Sequence, residues 1–257
     1  MASEDLWELF KDLRFAGRRS HPGLGPCFVA EGRILVEDLL ACARAGSMTV
    51  RVVAVETGLV DTVLPLLPEG TQLLTAPRGE MEAMAGFPFH RGLLAAAAIP
   101  AEPEPSRLLA CRRLLVLPAL ADVQNLGQLL RTSAALGMDG VLLGPGPDPF
   151  CRRAVRVSMG GSWKVPLWQR PDVWPELDAW RALGGERVAA SLAEDAVPVQ
   201  AWSPEPRVAL VLGPEGPGLG PLEVSRCDRA VRIPMAPGVD SLNVAAAGAI
   251  LMHWANQ

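Results

Sequence analysis

The chain has 257 residues, room for one large domain or two modest ones. Its 49% hydrophobic and 20% charged residues fit a soluble globular protein and exclude a disordered one. A net charge of −4 counts against indiscriminate nucleic-acid binding, although the balance is uneven: residues 1–105 hold 9 basic against 14 acidic side chains, residues 106–257 hold 15 against 14.

The start, MASEDLWELFKDLR, is acidic and has no apolar stretch of a secretion signal. No apolar run approaches the roughly 20 residues of a membrane helix. A cytoplasmic protein without membrane association is expected, with a mitochondrial location left open. Cys27, Cys42, Cys111, Cys151 and Cys227 are odd in number and form no C-x-x-C, and His21, His90 and His253 are far apart. Neither a disulfide framework nor a metal site is signalled.

Residues 27–30 (CFVA) read as a strand, and 33–45 as a helix, with Ile34, Leu35, Leu39, Leu40 and Ala43 at helical spacing. VRVVAV at 50–55 predicts another strand. A short helix follows and stops before Pro65 or Pro68, and GLLAAAAI at 92–99 reads as a buried strand. Residues 1–98 are expected to form a small α/β domain. IPAEPEPSR (99–107), with three prolines and no period, reads as a linker.

A second domain is expected over 108–257. It opens with a strand at 112–120 and a helix from about Gln124 to Leu136, ended by Gly137. Strand 139–144 runs into the break GPGPDP, then a helix through CRRAVRVS and a strand at KVPLW. A helix over 173–183, strands at 187–192, 207–213 and 228–235, and a last helix from Ser241 complete the chain. Strands separated by helices imply a parallel sheet covered on both faces. Ligands of such sheets lie beyond the carboxyl ends of the strands. Those ends include the loops Leu117–Asp122, Gly213–Gly220 and Pro234–Asp240.

Three clusters could carry chemistry. In ADVQNLGQLLRTSAALG (121–137), Asn125 falls in the first helical turn and Arg131 about 9 Å further along the axis. A capping Asn and a solvated Arg would look the same. In LVLGPEGPGLG (210–220), a buried strand enters a Gly/Pro loop holding one carboxylate, Glu215. The loop is neither a Walker loop nor a G-x-G-x-x-G, which removes the main support for a nucleotide-dependent oxidoreductase. In IPMAPGVDSLNVAAAGAI (233–250), Ser241 reads as a helix N-cap and Ala245 to Ala249 as a nearly bare face.

Together the clusters resemble the three signature motifs of the SpoU-type (TrmH-like) RNA ribose methyltransferases of the SPOUT superfamily. Asn125, Gly127 and Arg131 match Asn-x-Gly-x-x-x-Arg. Gly213, Glu215, Gly216 and Gly218 match Gly-x-Glu-Gly-x-Gly, and Ile233-Pro234-Met235 precedes Ser241-Leu242-Asn243-Val244. Pro214 and Ala245 depart from the residues common at their positions. The resemblance covers about 112–257 and implies a knotted α/β domain with a deep trefoil knot and a parallel sheet. It implies S-adenosylmethionine as cofactor, held by Leu212, Gly213, Glu215, Gly218, Ile233, Met235, Leu242 and Asn243. It also implies a homodimer and an RNA substrate, ribosomal rather than transfer RNA. A transfer-RNA enzyme and a non-catalytic knotted assembly factor are the alternatives.

The catalytic residues implied are Arg131, Asn125, Glu215, Ser241 and Asn243. Arg131 activates or orients the ribose hydroxyl, Asn125 positions Arg131 or the ribose, and Glu215 orients Arg131 or a substrate group. Residues 1–98 are similar to a ribosomal-protein-type RNA-binding domain. The similarity rests on Phe28 to Gly32 and His90 to Ala95. Arg18, Arg19, Arg33, Arg91, Arg152, Arg153 and Arg156 are candidates for RNA contact, and Arg112, Arg113 and Lys164 could extend the path, since arginine's planar fork suits phosphate.

Overall fold

The computed structural model describes residues 3–15, 17–88 and 92–257, which form two compact units. The first comprises residues 1–101 and 148–163, the second 102–147 and 164–257.

In the first unit, helix α1 (Ser3–Leu6) and 3-10 turns precede β1 (Arg19–His21) and β2 (Gly25–Glu31). Then come α2 (Arg33–Arg44), β3 (Val50–Glu56), α3 (Val60–Val63), β4 (Gln72–Ala76), α4 (Arg78–Ala85) and β5 (Leu93–Ala98). The five strands form one sheet in the order β1-β2-β5-β3-β4, with only β3–β4 parallel. Central β5 is buried on both faces, which its alanines permit. Helix α2 buries Leu35, Leu39 and Leu40 of the expected stripe together with Val36, while Ile34 is exposed and Ala43 half-buried.

The second unit begins with α5 (Pro105–Ala110), β6 (Arg113–Leu117), α6 (Val123–Ala135) and β7 (Gly140–Leu143). The chain then supplies α7 (Arg152–Ser158) to the first unit. It continues through α8 (Gly161–Lys164), β8 (Leu167–Gln169), α9 (Trp174–Arg181), β9 (Glu186–Ala190) and β10 (Val197–Pro198). Last come β11 (Val208–Val211), α10 (Pro221–Ser225), β12 (Arg229–Arg232) and α11 (Val244–Ala255).

The seven strands pair in parallel in the order β10-β12-β9-β11-β6-β7-β8. Alternate residues serve two cores, as the strand period of two requires. Leu115, Leu117, Leu210 and Leu212 pack with Leu129 of α6 and Leu251 of α11. Leu114, Val116, Ala209 and Val211 pack with Trp168 and, from α9, Trp174, Leu177 and Trp180.

Three expectations are corrected. Residues 99–107 are not a free linker: Pro105 opens α5 at its first turn, where a missing N–H costs nothing. Glu102 pairs with Arg170, and the Trp168 indole donates to the Pro103 carbonyl. Residues 148–163 pack in the first unit, where Phe28 lies 5.5 Å from Phe150 and 5.4 Å from Trp163 between ring centroids. The last helix starts at Val244, because Asn243 rather than Ser241 is its cap.

Candidate active site

Three strand ends build the site. After β6, Asp122 caps α6 by accepting from the Gln124 amide at 2.6 Å. After β11, the loop folds back so tightly that a Cβ on Gly213 would lie 2.3 Å from the Gly218 carbonyl carbon and the Leu219 nitrogen. No other residue fits there. The Pro214 carbonyl accepts from the Gly218 amide at 3.1 Å and closes this turn. After β12, residues 234–243 lead to α11, whose Gly248 lets the helix approach Leu129 of α6 and Leu212.

Glu215 joins these ends. Its carboxylate accepts from the Asn125 side chain at 2.7 Å and from the Ala121 and Asp122 amides at 3.0 and 3.3 Å. The Asn125 carbonyl oxygen accepts from Asn243 Nδ2 at 2.9 Å, and Asn243 Oδ1 accepts from the Ala245 and Ala246 amides at 2.9 and 3.4 Å. Burial works to raise the Glu215 pKa, but the hydrogen bonds from Asn125 and the Ala121, Glu215 and Asp122 amides outweigh it. The carboxyl is held below its ordinary range.

A cavity of about 280 Å³ opens beside this chain of hydrogen bonds. It is lined by Leu212, Gly213, Glu215, Gly218, Ile233, Met235, Leu242 and Asn243, the residues singled out in the sequence for the cofactor, and by Ser241. Its far wall, Ala190, Ser191 and Leu192, is the carboxyl end of β9. Sequence reasoning missed this wall, although the strand-end rule pointed to it once 187–192 was read as a strand. Glu215 is the one charged side chain in the lining. A mainly aliphatic cavity with one carboxylate and no cation suits a cationic or neutral ligand and gives a phosphate group no counter-charge.

Asn125 and Arg131 are not in the lining. Arg131 is exposed on α6 and makes no hydrogen bond or ion pair among the described residues. Both oxygens of Glu215 are taken, so Glu215 faces Asn125 and not Arg131.

The basic candidates separate sharply. Arg18 forms a forked pair with Asp148 at 2.7 and 3.0 Å, and Arg152 pairs with Glu31 and stacks 4.3 Å over the Phe87 ring. Arg19 donates to the Lys11 and Asp12 carbonyls, and Arg33 pairs with Glu37. Arg113 serves the Glu205 and Pro206 carbonyls, and Arg112 that of Pro206. In these seats each guanidinium already has partners within the protein. Arg153 and Arg156 are exposed on α7 and make no ion pair among the described residues. His90 and Arg91 lie outside the described residues.

Among the described residues no helix is long and apolar enough to cross a membrane, and no group of three or more His, Cys, Asp or Glu is placed to hold a metal ion.

Comparison with known proteins bears on the same segment. Residues 112–253 match the model of the SpoU rRNA Methylase family. The chain is 36% identical over 252 residues to a protein of Mycobacterium tuberculosis named an uncharacterized tRNA/rRNA methyltransferase, covering 95% of this chain and 86% of that one. It is 33% identical over 196 residues to the 23S rRNA (guanosine-2'-O-)-methyltransferase RlmB of Acinetobacter baylyi, covering 73% and 79%. The crystal structure of an AdoMet-bound rRNA methyltransferase from Sinorhizobium meliloti superposes with a TM-score of 0.75 at 26% identity, covering 89% and 86%. By the family match over 112–253 and the identity with these relatives, the chain belongs to the SpoU rRNA methylase family.

Proposed function

We propose that the chain moves the methyl group of S-adenosylmethionine to a ribose 2'-hydroxyl of ribosomal RNA. The observation that carries this reading is the cavity at the carboxyl ends of β9, β11 and β12, mainly aliphatic, with Glu215 its only charged side chain and without Lys or Arg. It fits S-adenosylmethionine, which bears a sulfonium and no phosphate. When bound, that group supplies an electrophilic methyl. The apolar lining excludes water from it. The name of the Acinetobacter relative and the bound AdoMet of the Sinorhizobium neighbour support the same reading.

Arg131 acts on the RNA side. A guanidinium offers five N–H donors and no acceptor. Arg131 therefore serves as a donor, binding a phosphate beside the target ribose, orienting the hydroxyl and stabilising charge on its oxygen. Ser241 and Asn243 hold the rim where ribose and donor meet. The first unit recognises the RNA, with Arg153 and Arg156 among its contacts. The active form is a cytoplasmic homodimer carrying the trefoil knot of the family.

The deciding experiment is transfer of labelled methyl from S-adenosylmethionine to unmodified total RNA, separated by size, with Arg131→Ala alongside. Label in ribosomal RNA that the variant loses supports the reading. Label confined to transfer RNA redirects it to that substrate. No label on naked RNA or on pre-ribosomal particles, with the donor still bound by the protein, overturns it in favour of a non-catalytic factor.

A further inference from the structure

The chain of hydrogen bonds through Glu215, Asn125 and Asn243 has a direction, and one group sets it. A carboxylate only accepts. Glu215 meets three N–H donors, so the group that Asn125 turns toward it must be its NH2. The Asn125 carbonyl oxygen then faces Asn243, which must answer with its own NH2. That leaves the Asn243 carbonyl oxygen for the Ala245 and Ala246 amides at the start of α11. Each carboxamide has one orientation that satisfies both neighbours. Reversing any one sets donor against donor and reverses the next.

We propose that Asn125 is a positioning residue: it transmits the orientation imposed by the Glu215 carboxylate to Asn243, so that the starts of α6 and α11 and the loop after β11 are held as one body. The loop lines the cavity, and α6 carries Arg131 six residues beyond Asn125. The relay thereby fixes the helix bearing the RNA-side arginine against the donor side. This consequence for catalysis rests on the cavity being the methyl-donor site; the relay itself does not.

A carboxamide at position 215 cannot replace the carboxylate. Oε1 takes Asn125 and the Asp122 amide, Oε2 the Ala121 amide, so one N–H donor would always face an NH2. The donor and acceptor roles can, however, be exchanged between two positions. With Glu215→Gln and Asn125→Asp together, the new Gln donates to the new Asp, which still accepts from Asn243. The direction is restored, apart from the weak 3.3 Å bond from the Asp122 amide.

The test compares the wild-type chain, Glu215→Gln, Asn125→Asp and the double variant. Amide hydrogen exchange is followed at Ala121, Asp122, Ala245 and Ala246, and the dissociation constant for S-adenosylmethionine is measured by calorimetry. Glu215→Gln is expected to speed exchange at Ala245 and Ala246 about tenfold, although position 215 touches neither. Asn125→Asp sets two carboxylates face to face and frees Ala121 and Asp122. Each single variant weakens donor binding about tenfold, and the double variant returns to within roughly threefold of wild type.

Unchanged exchange at Ala245 and Ala246 in Glu215→Gln overturns the relay. So does a double variant no better than Asn125→Asp, since a merely space-filling role gives no rescue. Glu215→Gln keeps the side-chain volume and carries the test alone if Asn125→Asp does not fold. Exchange is read without donor, so a wild-type chain that binds no S-adenosylmethionine sinks the donor reading while the amides still decide the relay.

Discussion

Glu31 of β2 and Arg152 of α7, 121 residues apart, form an ion pair with side chains only 12% and 14% exposed. Arg152 also lies over the Phe87 ring. Removing one partner leaves a poorly solvated charge, so Glu31→Ala is expected to cost about 2 kcal/mol in chemical denaturation. Arg152→Ala should lower the melting temperature and leave the salt dependence of RNA binding unchanged.

Arg153 and Arg156 should behave in the opposite way. Each is exposed and can release a counterion when it meets a phosphate. Alanine at either site should leave stability within about 0.5 kcal/mol and lower the slope of log K against log salt by about one. Filter binding at several salt concentrations reads both quantities. An unchanged slope in the double variant would remove α7 from the RNA path.

Arg131→Ala should separate chemistry from donor binding. Arg131 stands outside the cavity lining, so S-adenosylmethionine affinity should stay within about threefold while methyl transfer falls roughly a thousandfold. Calorimetry and a labelled-methyl assay on the same preparation suffice. Loss of donor affinity would place Arg131 on the donor side instead.

Gly213→Ala should be among the most damaging small changes in the second unit. The added methyl would meet backbone at 2.3 Å, which a side-chain rotation cannot relieve. About 2 kcal/mol or more of stability should be lost, together with donor binding. Gly216→Ala, where nothing lies within 4 Å but φ is +90°, should cost about 1 kcal/mol.

The depressed Glu215 carboxyl has a pH signature of known sign. A group with a lower pKa folded than unfolded stabilises fully above the ordinary carboxylate value of about 4.3 and loses that contribution as pH falls through the depressed folded value. Melting temperatures measured between pH 6 and pH 3 should therefore fall less steeply in Glu215→Gln than in wild type, from a lower plateau.

The sequence revealed most where burial is strong and periodic. The apolar run around Val50–Glu56 and the stripe of α2 needed no tertiary help. Edge strand β4 buries only Leu74, and β10 has two residues, so neither presents a pattern to read. The motif resemblance named Asn125, Glu215 and Asn243, yet the partner of Glu215 was legible only in the fold. Residues 90 and 118 apart meet because β6, β11 and β12 end on one edge of the sheet. Paired and unpaired arginines look alike in a sequence: Arg152 and Arg153 are neighbours, and the helix turns one inward to Glu31 and the other to solvent.

The chain passes between its two units at three places, after residues 101, 147 and 163. A gene segment ending at residue 101 is therefore no transferable cassette, because Phe28 would arrive in a new host without Phe150 and Trp163. Conversely, a protease that cuts only after residue 101 does not free the first unit, whose remaining piece is still joined by peptide bonds to the other half. Exchange of the first unit between chains divided this way requires two coordinated changes, and single recombination events at the obvious boundary should yield chains that fold poorly.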